Sequence, residues 1–161
     1  MSEVATEAPV RLRAEDVEDL AVLAALLQDA RISLRDMVYD PEAGSFIAAF
    51  TRYRRELQPD PTRCEGLTER GSALRFDCIA TVKHKKLDPA DLDRELTLLT
   101  IATAPGERQL FHVEFVFDEG VQIQLRTDCI DALLEDFGEA RLSVKTPCDH
   151  FAEELAVASR T

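Results

Sequence analysis

The sequence has few of the residues that common nucleotide-binding and catalytic motifs require. Its 161 residues include three histidines, six glycines and no tryptophan. The glycines are scattered, so the chain has neither the G-x-G-x-x-G turn of dinucleotide-binding folds nor a G-x-x-x-x-G-K-[ST] phosphate loop. It also lacks the G-x-S-x-G nucleophile elbow. These absences exclude nucleotide binding and serine hydrolysis through those motifs.

The cysteines do not form a recognisable metal or disulfide framework. Four are scattered along the chain without a C-x-x-C pair: Cys64, Cys78, Cys129 and Cys148. We expect reduced thiols, with Cys78 on the apolar side of a strand and Cys129 opening a helix whose dipole lowers its pKa. The run 148–150 (Cys-Asp-His) is adjacent at a helix start and does not converge on one ion. The sequence therefore predicts no metal site and no cofactor.

Long apolar runs and an excess of positive charge are also missing. No run approaches the roughly 20 residues of a membrane-spanning helix, and residues 1–9 lack the regions of a signal peptide. We therefore expect a disordered tail at 1–9 and a cytoplasmic protein. The chain carries 31 acidic and 19 basic residues, a net charge of −12. Because this charge repels phosphates, we expect no nucleic-acid and no membrane partner.

The strongest structural signal lies in residues 110–138. Apolar and polar residues alternate over 111–117 and again over 121–125, on either side of an Asp-Glu-Gly turn, which predicts a β-hairpin. Beyond it the apolar residues adopt the spacing of a helix that ends at Gly138. The residues with that spacing are Ile130, Leu133, Leu134 and Phe137.

The remaining pattern predicts an α+β fold in a single domain over 10–161. Residues 14–28 are expected to form a helix, because carboxylates crowd its first turns and an apolar stripe follows. Further strands are predicted at 32–38, 46–54, 74–82 and 95–103, a loop at 57–71, and a short helix at 150–158. This order indicates an antiparallel sheet of about six strands with an N-terminal and a C-terminal helix. It also fits a pleckstrin-homology-like split barrel by analogy.

Two basic clusters stand out in this acidic chain, 52–55 (Arg-Tyr-Arg-Arg) and 83–86 (Lys-His-Lys-Lys). Each ends a predicted strand, and a shared sheet rim would hold a phosphorylated or carboxylate ligand. His112 and Glu114 share one face of the hairpin, which is suited to orienting a general base or to solvation alone. The ligand-binding candidates are Arg52, Arg54, Lys83, His84 and His112. We predict no catalytic residue.

The function that these patterns favour is not enzymatic. No nucleophile, base or metal set clusters in the sequence. The leading hypothesis is a cytoplasmic protein-interaction or self-associating domain, in which basic strand ends dock the acidic first helix of a second copy. The alternative is a binder of an anionic small molecule, or an enzyme, that uses the polar sheet face and the basic strand ends.

Several stretches resemble a family of small bacterial proteins known as a domain of unknown function. They are residues 11–30, 46–55, 72–77 (Ser-Ala-Leu-Arg-Phe-Asp) and 120–138, the last reading GVQIQLRTDCIDALLEDFG. The resemblance extends from about Arg11 to His150. The shared motifs are structural in character, so the resemblance implies relatedness and no catalytic residues.

Overall fold

The computed structural model describes residues 8–54, 56, 67–106 and 110–142. Within them the chain forms one α-helix and ten β-strands. In chain order these are β1 Arg11–Ala14, α1 Val17–Leu26, β2 Arg31–Ser33, β3 Met37–Asp40, β4 Ser45–Tyr53, β5 Thr68–Phe76, β6 Ile79–Lys85, β7 Glu95–Pro105, β8 Phe111–Phe117, β9 Gln122–Thr127 and β10 Ala132–Leu142.

All the strand pairs are antiparallel, and the strands follow the order β1-β10-β5-β4-β2-β7-β8-β9-β6, with β3 pairing with β4. Strand β7 joins two halves of this sheet. Its first residues, 95–97, pair with β2, and its later residues pair with β8. We call β1, β2, β3, β4, β5 and β10 the first half-sheet, and β6, β7, β8 and β9 the second half-sheet.

The two half-sheets face each other across the core. Alternate residues are buried along β8, β9 and the first five residues of β10, as the two-residue period of a strand predicts. Phe115 of the second half-sheet lies 5.7 Å, between ring centroids, from both Phe46 and Phe76 of the first. These aromatic contacts hold the two inner faces together.

The helix α1 lies within the predicted helix at 14–28. Its N-cap is Asp16, whose Oδ1 accepts a hydrogen bond of 2.7 Å from the backbone N–H of Asp19. This bond satisfies one of the free amides of the first turn. Leu20 and Leu23 are buried, and α1 packs against β1 and β7. Among the described residues, no helix has the length and apolar character needed to cross a bilayer.

The α+β prediction was wrong, because the described chain is mostly antiparallel sheet with ten strands and one helix. The predicted C-terminal helix is strand β10. Its inward side chains alternate as Ala132, Leu134 and Asp136, all buried. The sequence does not show this alternation, because the inward position 136 holds a carboxylate where an apolar residue is expected. A charged residue there is typical of the polar face of a helix. The pleckstrin-homology-like barrel was wrong too, since it required this helix.

Two further strand boundaries differ from the prediction. The expected strand at 74–82 is interrupted at Cys78, where φ is 63° and the chain passes from β5 in one half-sheet to β6 in the other. The loop expected at 57–71 extends too far, because β5 already begins at Thr68. The helix expected at 150–158 and most of the tail at 1–9 lie outside the described residues.

Candidate functional site

Arg52 is a buried structural residue. Its side chain is 0% exposed and lies between β4, β5 and β10. Nε donates to Ser72 Oγ and Asp136 Oδ1 at 2.9 Å each, and Nη2 donates to Asp136 Oδ2 at 2.7 Å. Both terminal nitrogens also donate to the Glu56 carboxylate, at 2.9 and 3.0 Å. This guanidinium is therefore committed to partners within the chain.

Arg54 lies on the same inner side, two residues along the chain, and is 5% exposed. Its backbone N–H donates to Thr68 O at 2.8 Å. The basic cluster at 52–55 thus contributes its two described arginines to the interior of the first half-sheet. Neither presents its charge on an open surface.

Lys83 and His84 lie on β6, which is an edge strand because, among the residues that the structure describes, it pairs with β9 alone. Both are exposed. Lys83 is in register with Gln124, whereas His84 is in register with the buried Ile123. Because successive side chains of a strand point to opposite faces, the two residues do not share a surface.

His112 lies on β8, half-buried, in register with Ala104 on one side and Arg126 on the other. Glu114 is in register with Gln124 and accepts a hydrogen bond of 3.1 Å from its Nε2. His112 and Glu114 therefore lie on one face of the hairpin, beside Arg126 and Gln124 of β9. The row of polar side chains is the outward face of an amphipathic hairpin.

The outward face of the second half-sheet gathers positive charge. Arg126 of β9 is in register with His112 and with Thr81, and the next row of the same face holds Lys83, Gln124 and Glu114. The third row adds Lys85, in register with Gln122. We call this surface the cationic face and define it by Lys83, Lys85, His112 and Arg126.

Only two of the five candidate residues, Lys83 and His112, therefore lie on one surface. Arg52 and Arg54 are inside the other half-sheet, and His84 points to the opposite side of β6. Arg126 was not among the predicted residues, although its alternation with Gln122 and Gln124 in the sequence places it on this face. Its Nε is buried and has no hydrogen-bond partner within the described residues.

A complementary surface lies at the start of α1. Glu15, Asp16 and Glu18 are exposed there, and we call these three residues the acidic end. Val17 and Val22 on the same helix are 56% and 54% exposed. The acidic end therefore combines carboxylates with apolar surface, a combination suited to a protein contact.

A third cluster consists of Cys78, Asp128 and Cys129, whose thiol and carboxylate atoms all lie within 4.8 Å of one another. Both thiols are exposed and free, so Cys78 is not the core residue that the sequence predicted. Cys129 does not begin a helix. The hydrogen bond with Cys78, partial burial and the negative charge of its neighbours raise the pKa of Cys129 to about 12. The predicted lowering of that pKa was therefore wrong.

The backbone around these thiols is tightly held. Thr127 is 0% exposed, and its Oγ1 lies 3.0 Å from Cys78 O and 2.6 Å from Cys129 O. Cys78 adopts φ of 63°, in the left-handed region that costs a non-glycine residue about 1–2 kcal/mol. The Thr127 contacts and the turn at Cys78 thus fix the backbone that carries the two thiols.

Comparison with known proteins places the chain in a family. The model of the family described as "Protein of unknown function (DUF2948)" matches residues 10–150. The chain belongs to this family. The match confirms the resemblance and spans every strand from β1 to β10. No curated protein and no solved structure matches the chain.

Proposed function

We propose that this protein is a non-catalytic cytoplasmic module that associates with a second copy of itself. The cationic face of one copy docks the acidic end of α1 of the other. The observation that supports this proposal most strongly is the exposure of Lys83 and Lys85 side by side on an outward sheet face in a chain of net charge −12.

The charges on the two surfaces are complementary. The cationic face offers three basic side chains, Lys83, Lys85 and Arg126, with Glu114 as the acidic residue in its middle row. The acidic end offers three exposed carboxylates. Such complementarity sets orientation and excludes wrong partners. Lysines on an edge strand also discourage backbone pairing, so this contact uses the face and not the free edge of β6.

Light scattering after size-exclusion chromatography tests the proposal through charge reversal. The wild type should approach twice the monomer mass as its concentration rises. Lys83→Glu with Lys85→Glu should weaken association at least about tenfold, or about 1.4 kcal/mol, because the face would then repel the acidic end. The salt dependence of association is a poor test by itself. Salt screens the attraction between the two surfaces and also the overall repulsion between two negatively charged copies.

Charge reversal in the acidic end tests the other side of the contact and has a matched control elsewhere on the surface. Glu15→Lys with Glu18→Lys should weaken association as much as the lysine reversals do. Glu42→Lys with Asp91→Lys changes the net charge equally, at exposed positions away from both surfaces, and should leave association intact. A wild type that stays monomeric at all concentrations would refute the proposal. The proposal would also be refuted if the Glu15/Glu18 and Glu42/Asp91 double variants weakened self-association equally.

A second candidate function is the binding of a small anion on the same face. It is supported by the buried Nε of Arg126, which has no hydrogen-bond partner in the described part of the chain and lies beside the half-buried His112. Arginine guanidinium groups bind phosphate and carboxylate groups through hydrogen bonds from their N–H donors. A monomeric wild type whose melting temperature rises with inorganic phosphate, and no longer rises in Arg126→Gln, would favour this candidate.

A further inference from the structure

We propose that Cys78, Asp128 and Cys129 form a binding site for one thiophilic divalent cation of the Zn²⁺ class. The site lies where the β5–β6 and β9–β10 connections meet, and it is separate from the cationic face. Two sulfurs and one carboxylate oxygen would bind the cation, and a water molecule would take the fourth position. This donor set combines the softer and harder ligands that Zn²⁺ accepts.

The distances suit a single cation. Zn²⁺ binds sulfur at about 2.3 Å and carboxylate oxygen at about 2.1 Å, so two sulfurs of a tetrahedral site lie about 3.8 Å apart. The three ligand atoms already lie within 4.8 Å of one another. A cation that binds all three must therefore draw the ligand atoms together by at most about 1 Å.

The backbone holds the ligands in place before any cation arrives. Ile79 and Thr127 are paired in register, so the β6 and β9 ends beside the thiols are fixed to each other. The Thr127 hydroxyl bridges the carbonyls of both cysteines. The residue before Cys78 is also fixed, since the Asp77 N–H donates to Asp131 O at 2.9 Å. Ligands positioned in this way lose little freedom on binding.

The residue type at position 78 is itself informative. A left-handed backbone conformation favours glycine or asparagine, yet the chain has cysteine there. The sulfur is exposed and within reach of a second exposed thiol, so a cation has free access to both. Binding would release the two thiol protons to solvent and place one divalent cation between the two resulting thiolates.

Cadmium titration tests the site, because Cd²⁺ is a spectroscopic probe for Zn²⁺ sites and its thiolate complexes absorb in the ultraviolet. The background variant Cys64→Ser with Cys148→Ser leaves only the proposed pair of thiols. Cd²⁺ should give a charge-transfer band that saturates at one equivalent, and Zn²⁺ should displace it. Cys78→Ser or Cys129→Ser, added to this background, should abolish the band.

The carboxylate ligand has its own matched control. Asp128→Asn should weaken Cd²⁺ binding about tenfold or more, whereas Asp131→Asn, in the same connection, should not. Circular dichroism identifies any variant that has not folded, and a Zn²⁺-dependent rise in melting temperature, lost in Cys129→Ser, gives a second readout. The proposal fails if the background variant shows no band, if the band survives loss of either thiol, or if the thiols form a disulfide instead of binding Cd²⁺.

Discussion

Replacing Phe115 with alanine should lower the free energy of unfolding by about 3–5 kcal/mol. This side chain is 1% exposed and lies at the contact between the two half-sheets. Its ring lies 5.7 Å from Phe46 and Phe76 and 6.3 Å from Phe117, centroid to centroid. Truncation leaves a cavity bordered by all three rings, which cannot collapse without moving one half-sheet. Urea unfolding followed by circular dichroism measures the change.

The matched control is Phe137→Ala. Phe137 is 50% exposed and lies over Gly71 on the outward side of the first half-sheet. Because half of its surface stays in water, its loss should cost about 1 kcal/mol. Equal costs for Phe115→Ala and Phe137→Ala would contradict the packing of the two half-sheets against each other.

The second large effect concerns the buried ion pair of Arg52 and Asp136. Asp136→Asn should cost about 3–5 kcal/mol, because it leaves the buried guanidinium without its principal counter-charge. The Asp136 side chain is 1% exposed and also accepts hydrogen bonds from Ser72 and from the Val10 N–H, the latter at 2.9 Å. One carboxylate thus joins the beginning of the chain to β4, β5 and β10.

This cost should depend on pH. Burial opposes ionisation of Asp136, but hydrogen bonds from Arg52, Ser72 and the Val10 amide, with the charge of Arg52, lower its pKa below the ordinary 3.8. A lowered native pKa stabilises the fold above the unfolded pKa, and that contribution is lost as pH falls through the native pKa. The stability difference between wild type and Asp136→Asn should therefore shrink below about pH 4.

An exposed pair on the neighbouring residue provides the control. Arg11 Nε lies 3.5 Å from Glu135 Oε2, with side chains 70% and 54% exposed. Glu135→Gln should cost less than about 1 kcal/mol, because water screens the pair. If Asp136→Asn costs no more than Glu135→Gln, or if its cost does not change with pH, the assignment of Asp136 as a buried counter-ion is wrong.

The hairpin of β8 and β9 was predictable from the sequence for a local reason. Apolar residues recur at every second position over 111–117 and over 121–125, and the turn residues lie between the two runs. Its outward polar row followed from the two-residue period, whereas its register is given only by the structure.

Strand β10 was not predictable, because its decisive contact is distant in sequence. The inward position of Asp136 is stable only beside Arg52, which lies 84 residues earlier. Phe137, read as part of a helical stripe, lies outward over Gly71. Ion pairs and ring contacts between strands that are distant in sequence leave no periodic signal. The residues of β10 are therefore compatible with either a helix or a strand when the sequence is considered alone.

Some positions of the candidate site residues follow from local strand periodicity, whereas others depend on contacts between distant parts of the chain. Lys83 and His112 share a face because alternation and strand pairing are regular there. Arg52 and Arg54 form part of a basic run in the sequence, yet the fold uses them internally. The approach of Cys78 to Cys129 depends on the left-handed turn at Cys78, and cysteine is not a residue that signals such a turn.

The most direct measurement for the proposed function is the mass of a mixture. Lys83→Glu with Lys85→Glu should make one variant monomeric, because its face repels the acidic end. Glu15→Lys with Glu18→Lys should do the same in a second variant, because its altered helix repels the intact face. Mixed in equal amounts, the two should form a one-to-one dimer by light scattering, since each surface then meets its opposite charge. A mixture that remains monomeric, or variants that self-associate as the wild type does, would contradict the proposal.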